Sequence, residues 1–396
     1  MPTGVSVTRR LRDENALAVL HHVWDLPAGP DGSEPAVTGT DLIAATGLSR
    51  ATVHDVCEEL IGRGWLRELP NERAAGTYTK GRPARRYAFD VHAGVVVGID
   101  AGQHRIAARV GDLRGRPLAD VAREVAHEPA STPAAERLEV VAATVRQALA
   151  QAGSPQVLSV VLGVPAPVGP SGRTEFSGNP YWGFVNADLA GGLSSRHGWP
   201  VLAENDANLA ALAEGWIGSG RGVRHQVTLL AGERIGAGVV DDGRLLRGAR
   251  GGVGEMRYLT IVDGVGSPAG LGKVLRDLVA EAGGTGAAED VVAAAAAGEE
   301  LAGSLLAVAA DRLARVVVTL ASLFDPERVV VAGGVAGALG LVERVNAELP
   351  RFLDEPRPLV VASTLGRDVV VLGAVRRALD DVRDRVLSLS LERAGS

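Results

Sequence analysis

The sequence predicts an α/β protein built as two similar halves behind a small helical module that ends in a hairpin. Three observations carry this. From Val95 onward, apolar strand-like runs alternate with helical stretches; a related order of elements recurs from Gln226; and before residue 90 the order is instead helix, helix, turn, helix, hairpin. The 396 residues are ample for two or three domains at roughly 150 residues each.

In the N-terminal module, Leu11, Leu17, Leu20, Val23 and Trp24 recur at helical spacing and predict an amphipathic helix from Ser6 to Trp24, ended by Pro27. The breaker-rich stretch from Pro27 to Pro35 predicts a loop. Thr40 to Ala45 then reads as a short helix and Gly47-Leu48 as a turn. Ser49 can cap a better helix, with Val53, Val56, Leu60 and Ile61 on one face. Gly62 and Gly64 end it, and Trp65 to Leu69 and Arg86 to Phe89 predict two short strands around a Gly- and Arg-rich loop. The module is thus a winged helix-turn-helix.

In the body, Val95 to Asp100 reads as a buried strand, His104 to Leu113 and Leu118 to Val125 as further strands, Pro133 to Ala152 as a helix and Val157 to Val161 as a strand. The recurrence supplies strands Val227 to Leu230, Gly238 to Val240 and Arg244 to Leu246 around the turn Asp241-Asp242-Gly243. Helices follow, among them Ala-rich Glu289 to Glu299, and then strand Val329 to Ala332. Two α/β halves with a cleft between them result. The expected boundaries are a module over 1–90 and a body over 91–396, with one lobe at about 91–205 plus the C-terminal helix and the other at about 206–375.

Charge has to be read locally. The 41 basic and 47 acidic side chains leave a net charge of −6, which excludes a wholly basic nucleic-acid coat. Between residues 63 and 86, however, seven basic residues face two acidic ones, a net +5. A helix-turn-helix sets the start of its second helix in the DNA major groove. Ser49, Arg50, Thr52 and His54 suit that position: Arg50 can reach guanine bidentately, while Ser49 and Thr52 hold phosphates. The cationic run from Gly81 to Arg86 suits a wing, with Arg82, Arg85 and Arg86 on phosphate or in a narrow minor groove. The expected partner is a double-stranded DNA operator, palindromic if the protein is a homodimer or homotetramer. Helix-turn-helix patterns also occur in ordinary bundles, and the conjunction with a basic wing favours DNA. The single cysteine, Cys57, excludes an internal disulfide framework and a multi-cysteine zinc site, and it falls on the inner side of its helix. No apolar stretch reaches the length of a membrane span, and Arg9, Arg10 and Arg12 precede Asp13 and Glu14 instead of an apolar signal core, so the expected compartment is the cytoplasm.

Six segments in order carry a resemblance: Gly98-Ile99-Asp100-Ala101-Gly102, Gly163 to Val168, Glu204-Asn205-Asp206-Ala207-Asn208, Ile235 to Gly238, Gly248 to Glu255, and Pro326 to Gly334. Together with the N-terminal module, the chain resembles the ROK family of repressors and sugar kinases over nearly its whole length. The resemblance implies the actin-like, ribonuclease-H-like ATPase fold. It implies Asp206 as the base that deprotonates a sugar hydroxyl in a kinase, Asn179 and Asn205 as hydrogen-bond partners of sugar hydroxyls, and Glu255 as a carboxylate that takes two more. Asn205 and Asp206 also suit a helix cap.

The chain departs from the family pattern where phosphate and zinc would bind. The first phosphate loop of the family reads Asp-x-Gly-Gly-Thr, and here it is Asp100-Ala101-Gly102-Gln103-His104. The second, usually Gly-Thr-Gly-Ile-Gly, is Gly232-Glu233-Arg234-Ile235-Gly236, which sets a carboxylate where a polyanion would bind unless Arg234 neutralises it. The zinc-binding histidine of Gly-Glu-Ile-Gly-His is Tyr258 in Gly254-Glu255-Met256-Arg257-Tyr258, and Thr260 to Gly272 has neither cysteine nor histidine. Tyr258 becomes an expected hydroxyl donor to a ligand. The expected function is a DNA-binding transcription regulator, a repressor in type, that needs no cofactor or metal. Its body either senses a sugar or other small molecule through Asn179, Asn205, Asp206, Glu255 and Tyr258 or serves as a dimer scaffold. The alternative is an ATP- and Mg²⁺-dependent sugar kinase with Asp206 as base.

Overall fold

The computed structural model describes residues 4–27, 33–70, 84–126, 131–174, 179–285, 287–333 and 340–391. The N-terminal module runs α1 (Gly4–Asp25), β1 (Val37–Thr38), α2 (Gly39–Thr46), α3 (Arg50–Gly62), β2 (Leu66–Leu69) and β3 (Arg86–Phe89). Thr38 and Asp41 form a capping box at the start of α2, and Gly47 at φ 70° closes it in the left-handed conformation. Ser49 caps α3 by accepting from the Thr52 N–H at 3.2 Å. The hairpin is as expected, but β1 adds to β3 and makes a three-stranded sheet in the order β1-β3-β2. Two residues are too few to show alternation, so this strand had no sequence signal.

The body comprises β4 (Val95–Ala101), β5 (Arg105–Gly111), β6 (Pro117–Glu124), α4 (Ala134–Gln151), β7 (Val157–Val164), α5 (Pro180–Val185), α6 (Leu189–His197), β8 (Val201–Asn205) and α7 (Asp206–Ile217). There follow β9 (Gln226–Ala231), β10 (Ile235–Asp241), β11 (Arg244–Leu246), α8 (Leu271–Glu281), α9 (Ala288–Ala296), α10 (Glu300–Phe324), β12 (Arg328–Ala332), α11 (Leu341–Glu348), β13 (Leu359–Ala362) and α12 (Val369–Arg385). The two sheets have the orders β6-β5-β4-β7-β8 and β11-β10-β9-β12-β13. In each, the first three strands are antiparallel and the last two join in parallel. One topology is used twice, which is the duplication that the recurring pattern predicts. No single described helix is long and apolar enough to cross a membrane.

The last helix of each half packs on the sheet of the other: α7 on β9 and β10, and α12 on β4 and β7. The two helices cross against each other, and glycine sets how closely. A Cβ at Gly373 of α12 would lie 1.8 Å from the Leu209 carbonyl oxygen of α7, and one at Gly98 of β4 would lie 2.5 Å from the Val371 carbonyl oxygen of α12. β7 runs beyond the predicted Val161 to Val164 through Gly163, where Leu209 and Val370 approach.

The module docks on this crossing without a soft linker. The Trp24 ring stacks with those of Phe89 and Trp65, at centroid distances of 4.5 and 6.3 Å, and its indole N–H donates to the Leu113 carbonyl at 2.9 Å. Arg114 donates to the carbonyls of Trp24 and Leu26, and Arg383 of α12 holds Asp25 of α1 through two bonds of 2.6 and 2.5 Å. Beyond α12 the chain returns to α3, where the Arg63 guanidinium donates to the Leu387 carbonyl at 2.9 Å. Trp24, Leu60, Cys57, Val382, Val375 and Leu209 belong to one buried apolar cluster that spans module, α12 and α7. As expected, Cys57 is fully buried, and burial pushes its thiol up to about 12.

Because the crossing leaves no room for a methyl group, Gly373→Ala is expected to destabilise the protein by about 1–3 kcal/mol, read as a lower urea midpoint at unchanged slope. Gly303 of α10 has open space at the same position. Gly303→Ala should therefore leave stability unchanged or raise it by up to about 1 kcal/mol through helix propensity.

Candidate functional site

Two regions carry the expected site residues: the cleft between the sheets and the exposed start of α3. In the cleft, β8 ends at Asn205 and α7 begins at Asp206. Asn205 caps α7, its carbonyl oxygen accepting from the Asn208 N–H at 3.1 Å while its amide donates to the Ala166 carbonyl at 3.0 Å. Both ends of that side chain are therefore used in bracing the strand-to-helix junction. Asp206 accepts from the Ala207 N–H at 2.8 Å. Asn179 caps α5 by accepting from the Tyr181 N–H at 3.1 Å, and Glu255 caps the 3-10 helix Met256–Ile261 by accepting from the Arg257 N–H at 2.9 Å.

Asn179, Asn205, Asp206 and Glu255 line one cavity of about 60 Å³ together with Trp182, Arg234 and Arg257. That is room for about two water molecules, against the roughly 300 Å³ of a small ligand site. The lobes are drawn together over it. A Cβ at Gly251 would lie 2.0 Å from the Val168 carbonyl oxygen across the cleft, and Gly251 holds φ 70°, so only glycine allows this approach. Arg234 lies 4.3 Å above the Tyr181 ring and Arg257 lies 5.4 Å from the Trp182 ring. On the far side of the Gly251 contact a wider groove of about 620 Å³ runs along β8.

Desolvation in the cleft pushes the Asp206 carboxyl up to about 8, with like-charge repulsion from Asp100 and Glu255 adding to the effect. Burial also raises Asp100, to about 6, against the pull of Arg105 and Arg137, and it raises Glu255. At neutral pH Asp206 is therefore protonated and can donate a hydrogen bond.

The structure corrects three expectations. Tyr258 does not replace the family histidine in the pocket: it sits on the outer side of its 3-10 helix, 63% exposed and outside the cavity wall. Glu233 is neutralised by Arg276 at 2.5 Å, which leaves Arg234 to stack on Tyr181. Arg85 does not stand free as a wing cation but is paired within the protein with Glu58 and Glu68 and lies 3.1 Å from His54, which ties the head of β3 to α3. Arg82 and residues 71–83 lie outside the described residues.

At the start of α3, Ser49, Arg50 and His54 are exposed and Thr52 is half-buried. The Ser49 and Thr52 hydroxyls are 2.9 Å apart and serve the cap. Arg86 is half-buried at the head of β3. Sequence reasoning missed Arg137, a fully buried residue on the inner face of α4 that donates to the carbonyls of Ala101 and Gly102 and so fixes the loop after β4. Nothing in a helical pattern distinguishes it from a solvated arginine. The residues do not fit a zinc ion: the one cysteine is in α3, and among the described residues no group of three or more His, Cys, Asp or Glu is placed to hold a metal.

The Asp206 shift has a sign that can be tested. A carboxyl near 3.8 when unfolded and near 8 when folded binds more protons in the folded state, so stability falls as pH rises between those values. Asp206→Asn should match the wild type at pH 4 and become progressively more stable than it up to about pH 8.5, read by urea unfolding. A difference that does not change with pH would contradict the assignment.

A model of the ROK family matches residues 96–380, and a model of the IclR helix-turn-helix domain matches residues 14–70. The chain superposes with a TM-score of 0.72 on a ROK family transcriptional regulator, a homolog of the E. coli MLC protein, covering 94% of this chain and 97% of that one at 22% identity. It superposes with a TM-score of 0.59 on a ROK hexokinase from Thermus thermophilus, at 31% identity over 73% of this chain and 99% of that one. It is 38% identical over 189 residues to the bifunctional enzyme NanE/NanK of Brucella suis, a match that takes in 46% of this chain and spans 35% of that relative's length. The fold is the two-lobed, actin-like one that the resemblance implies, and the chain belongs to the ROK family, with a helix-turn-helix domain of IclR type at its N-terminal end.

Proposed function

We propose that this protein is a transcription regulator of repressor type that grips a palindromic operator through α3 as a homodimer or homotetramer. In this reading its cleft senses a sugar or other small molecule and transfers no phosphoryl group. The observation that carries the reading is the buried apolar cluster that joins the helix-turn-helix to α12 and α7, because the first residue of α7 is Asp206 in the cleft. A ligand that changes how the lobes sit around Asp206 has a packed path to the DNA module. In a dimer it would change the spacing of two α3 helices and hence the fit to two half-sites.

Several features support sensing over catalysis. Glu233 and Arg276 close an ion pair at the second loop, and Gln103 and His104 add bulk at the first, neither of which suits a polyphosphate. Asp100 faces Arg105 at 3.9 Å, and Arg105 also holds Asp368 at 2.8 Å. The rival reading, a sugar kinase, has the position of Asp206 at a strand-to-helix junction in its favour, and the likeness to the hexokinase.

DNA binding is tested by mobility shift on the region upstream of the protein's own gene. Affinity should fall about 10³-fold or more between 50 and 200 mM salt, and Arg50→Ala should weaken it by about 1–3 kcal/mol per half-site. No shift, or one indifferent to salt and to Arg50, contradicts the proposal. Catalysis is tested by an ATP-coupled assay over hexoses and amino sugars, with no turnover expected. Turnover that disappears in Asp206→Asn would establish the kinase instead.

A further inference from the structure

With the cleft read as an effector site, the mouth of its cavity narrows the chemistry of the effector. Arg234, on the turn between β9 and β10, and Arg257, on the 3-10 helix Met256–Ile261, both line the cavity and both are exposed at its rim. Other arginines of the same lobe are spent on fixed acceptors: Arg276 on Glu233, Arg247 on Glu204 at 2.8 Å, and Arg312 on the carbonyls of Ser267 and Ala269. Among the described residues Arg234 and Arg257 have no ion-pair partner. Each instead lies against an aromatic ring of the opposite lobe, Arg234 on Tyr181 and Arg257 on Trp182. Stacking occupies the flat face of a guanidinium and leaves N–H donors on its edge. Two adjacent rings therefore hold two donor forks over one opening.

The charge of the wall points the same way. The carboxyls that line the cavity are Asp206 and Glu255, and both are shifted toward their neutral forms, with Asp206 protonated at neutral pH. The two guanidiniums are thus incompletely balanced. Arg234 also donates to the Tyr181 hydroxyl, but neither guanidinium holds a carboxylate, so their remaining N–H donors match a carboxylate or a phosphate oxygen pair, and the caps beneath them offer the acceptors that hydroxyls need.

We propose that Arg234 and Arg257 form an anion-reading pair, and that the effector is a small polyol bearing one carboxylate or phosphate group, with its hydroxyls turned to Asn179, Asp206 and Glu255; a cavity of about 60 Å³ is too small for it, so it binds an arrangement in which the lobes have parted. The proposal rests on the effector reading of the cleft and adds the charge class of the ligand.

The test is titration of the full chain at pH 7, by calorimetry and by thermal shift, with matched probes: glucose against glucose 6-phosphate, glucose against gluconate and glucuronate, and inorganic phosphate alone. An anionic member should bind at least about tenfold more tightly than glucose and raise the melting temperature. Which anion does so separates the phosphate from the carboxylate source. Arg234→Gln and Arg257→Gln should each weaken that binding about tenfold or more, with the unliganded melting temperature and the sugar-free mobility shift retained. If Arg234→Gln loses its fold, Arg234→Lys keeps the charge without the fork and should bind with intermediate affinity. Equal binding of glucose, or anion binding unchanged in both variants, overturns the proposal and leaves the effector reading standing. Inorganic phosphate binding as tightly as glucose 6-phosphate overturns it by removing the polyol. Silence across every probe overturns it together with the effector reading, while the sugar-free mobility shift still reports DNA binding on its own.

Discussion

Helix α12 lies against α7 at a separation that only glycine at position 373 permits, and the rest of the molecule is arranged around that contact. Each helix belongs by sequence to one half and packs on the sheet of the other, so their crossing is the joint by which the halves are exchanged. The crossing combines this backbone contact with close-packed side chains of both helices, Leu209, Val370 and Val375 among them. On the α7 side the joint ends at Asp206 in the cleft, and on the α12 side it ends at the Arg383 to Asp25 pair on the first helix of the DNA-binding module. The position of the module is therefore part of the conformation of the cleft.

The cleft is built with the same economy of parts. Asn179, Asn205 and Glu255 each cap a helix whose N-terminus opens on the cavity, and Asp206 is the first residue of the helix that Asn205 caps. Capping fixes these side chains before any ligand arrives, which lowers the entropy lost on binding. It also restricts what they can still offer, since Asn205 has both of its polar ends committed. The unspent hydrogen-bonding capacity lies with Asp206, Glu255 and the rim arginines more than with the asparagine that the motif brings forward.

Much of this was readable in the amino-acid sequence, because the elements concerned have strong local causes. Ser49 before Val53 and Val56, the glycines that end α3, and the repeated valine runs each follow from capping or periodicity alone, and the duplicated order of strands was visible before any pairing was known. What the sequence did not show depends on who meets whom across the fold. Arg85 reads as a wing arginine, and only the placement of Glu58 and Glu68 beside it turns it into an internal clasp. Tyr258 occupies a motif position, yet the direction of a short 3-10 helix sends it outward. Arg137 and Arg257 have no local signature at all, since burial of one and stacking of the other are set by residues more than thirty positions away in sequence.

The clasp at Arg85 bears on how an acidic chain holds DNA. Glu58 and Glu68 would otherwise stand as free carboxylates on the face that carries Arg50 and His54, where each would repel phosphate. Paired with both, Arg85 offsets one of the two negative charges and leaves a net −1 on the trio, and it ties the head of β3 to α3. The module meets the body through Trp24 and Arg383, so on the proposed reading a rotation between lobes reaches it through packed side chains. On the proposed reading, a tenfold change in operator affinity needs an effector to favour one lobe arrangement by only about 1.4 kcal/mol, an energy comparable with that of one charge-assisted hydrogen bond.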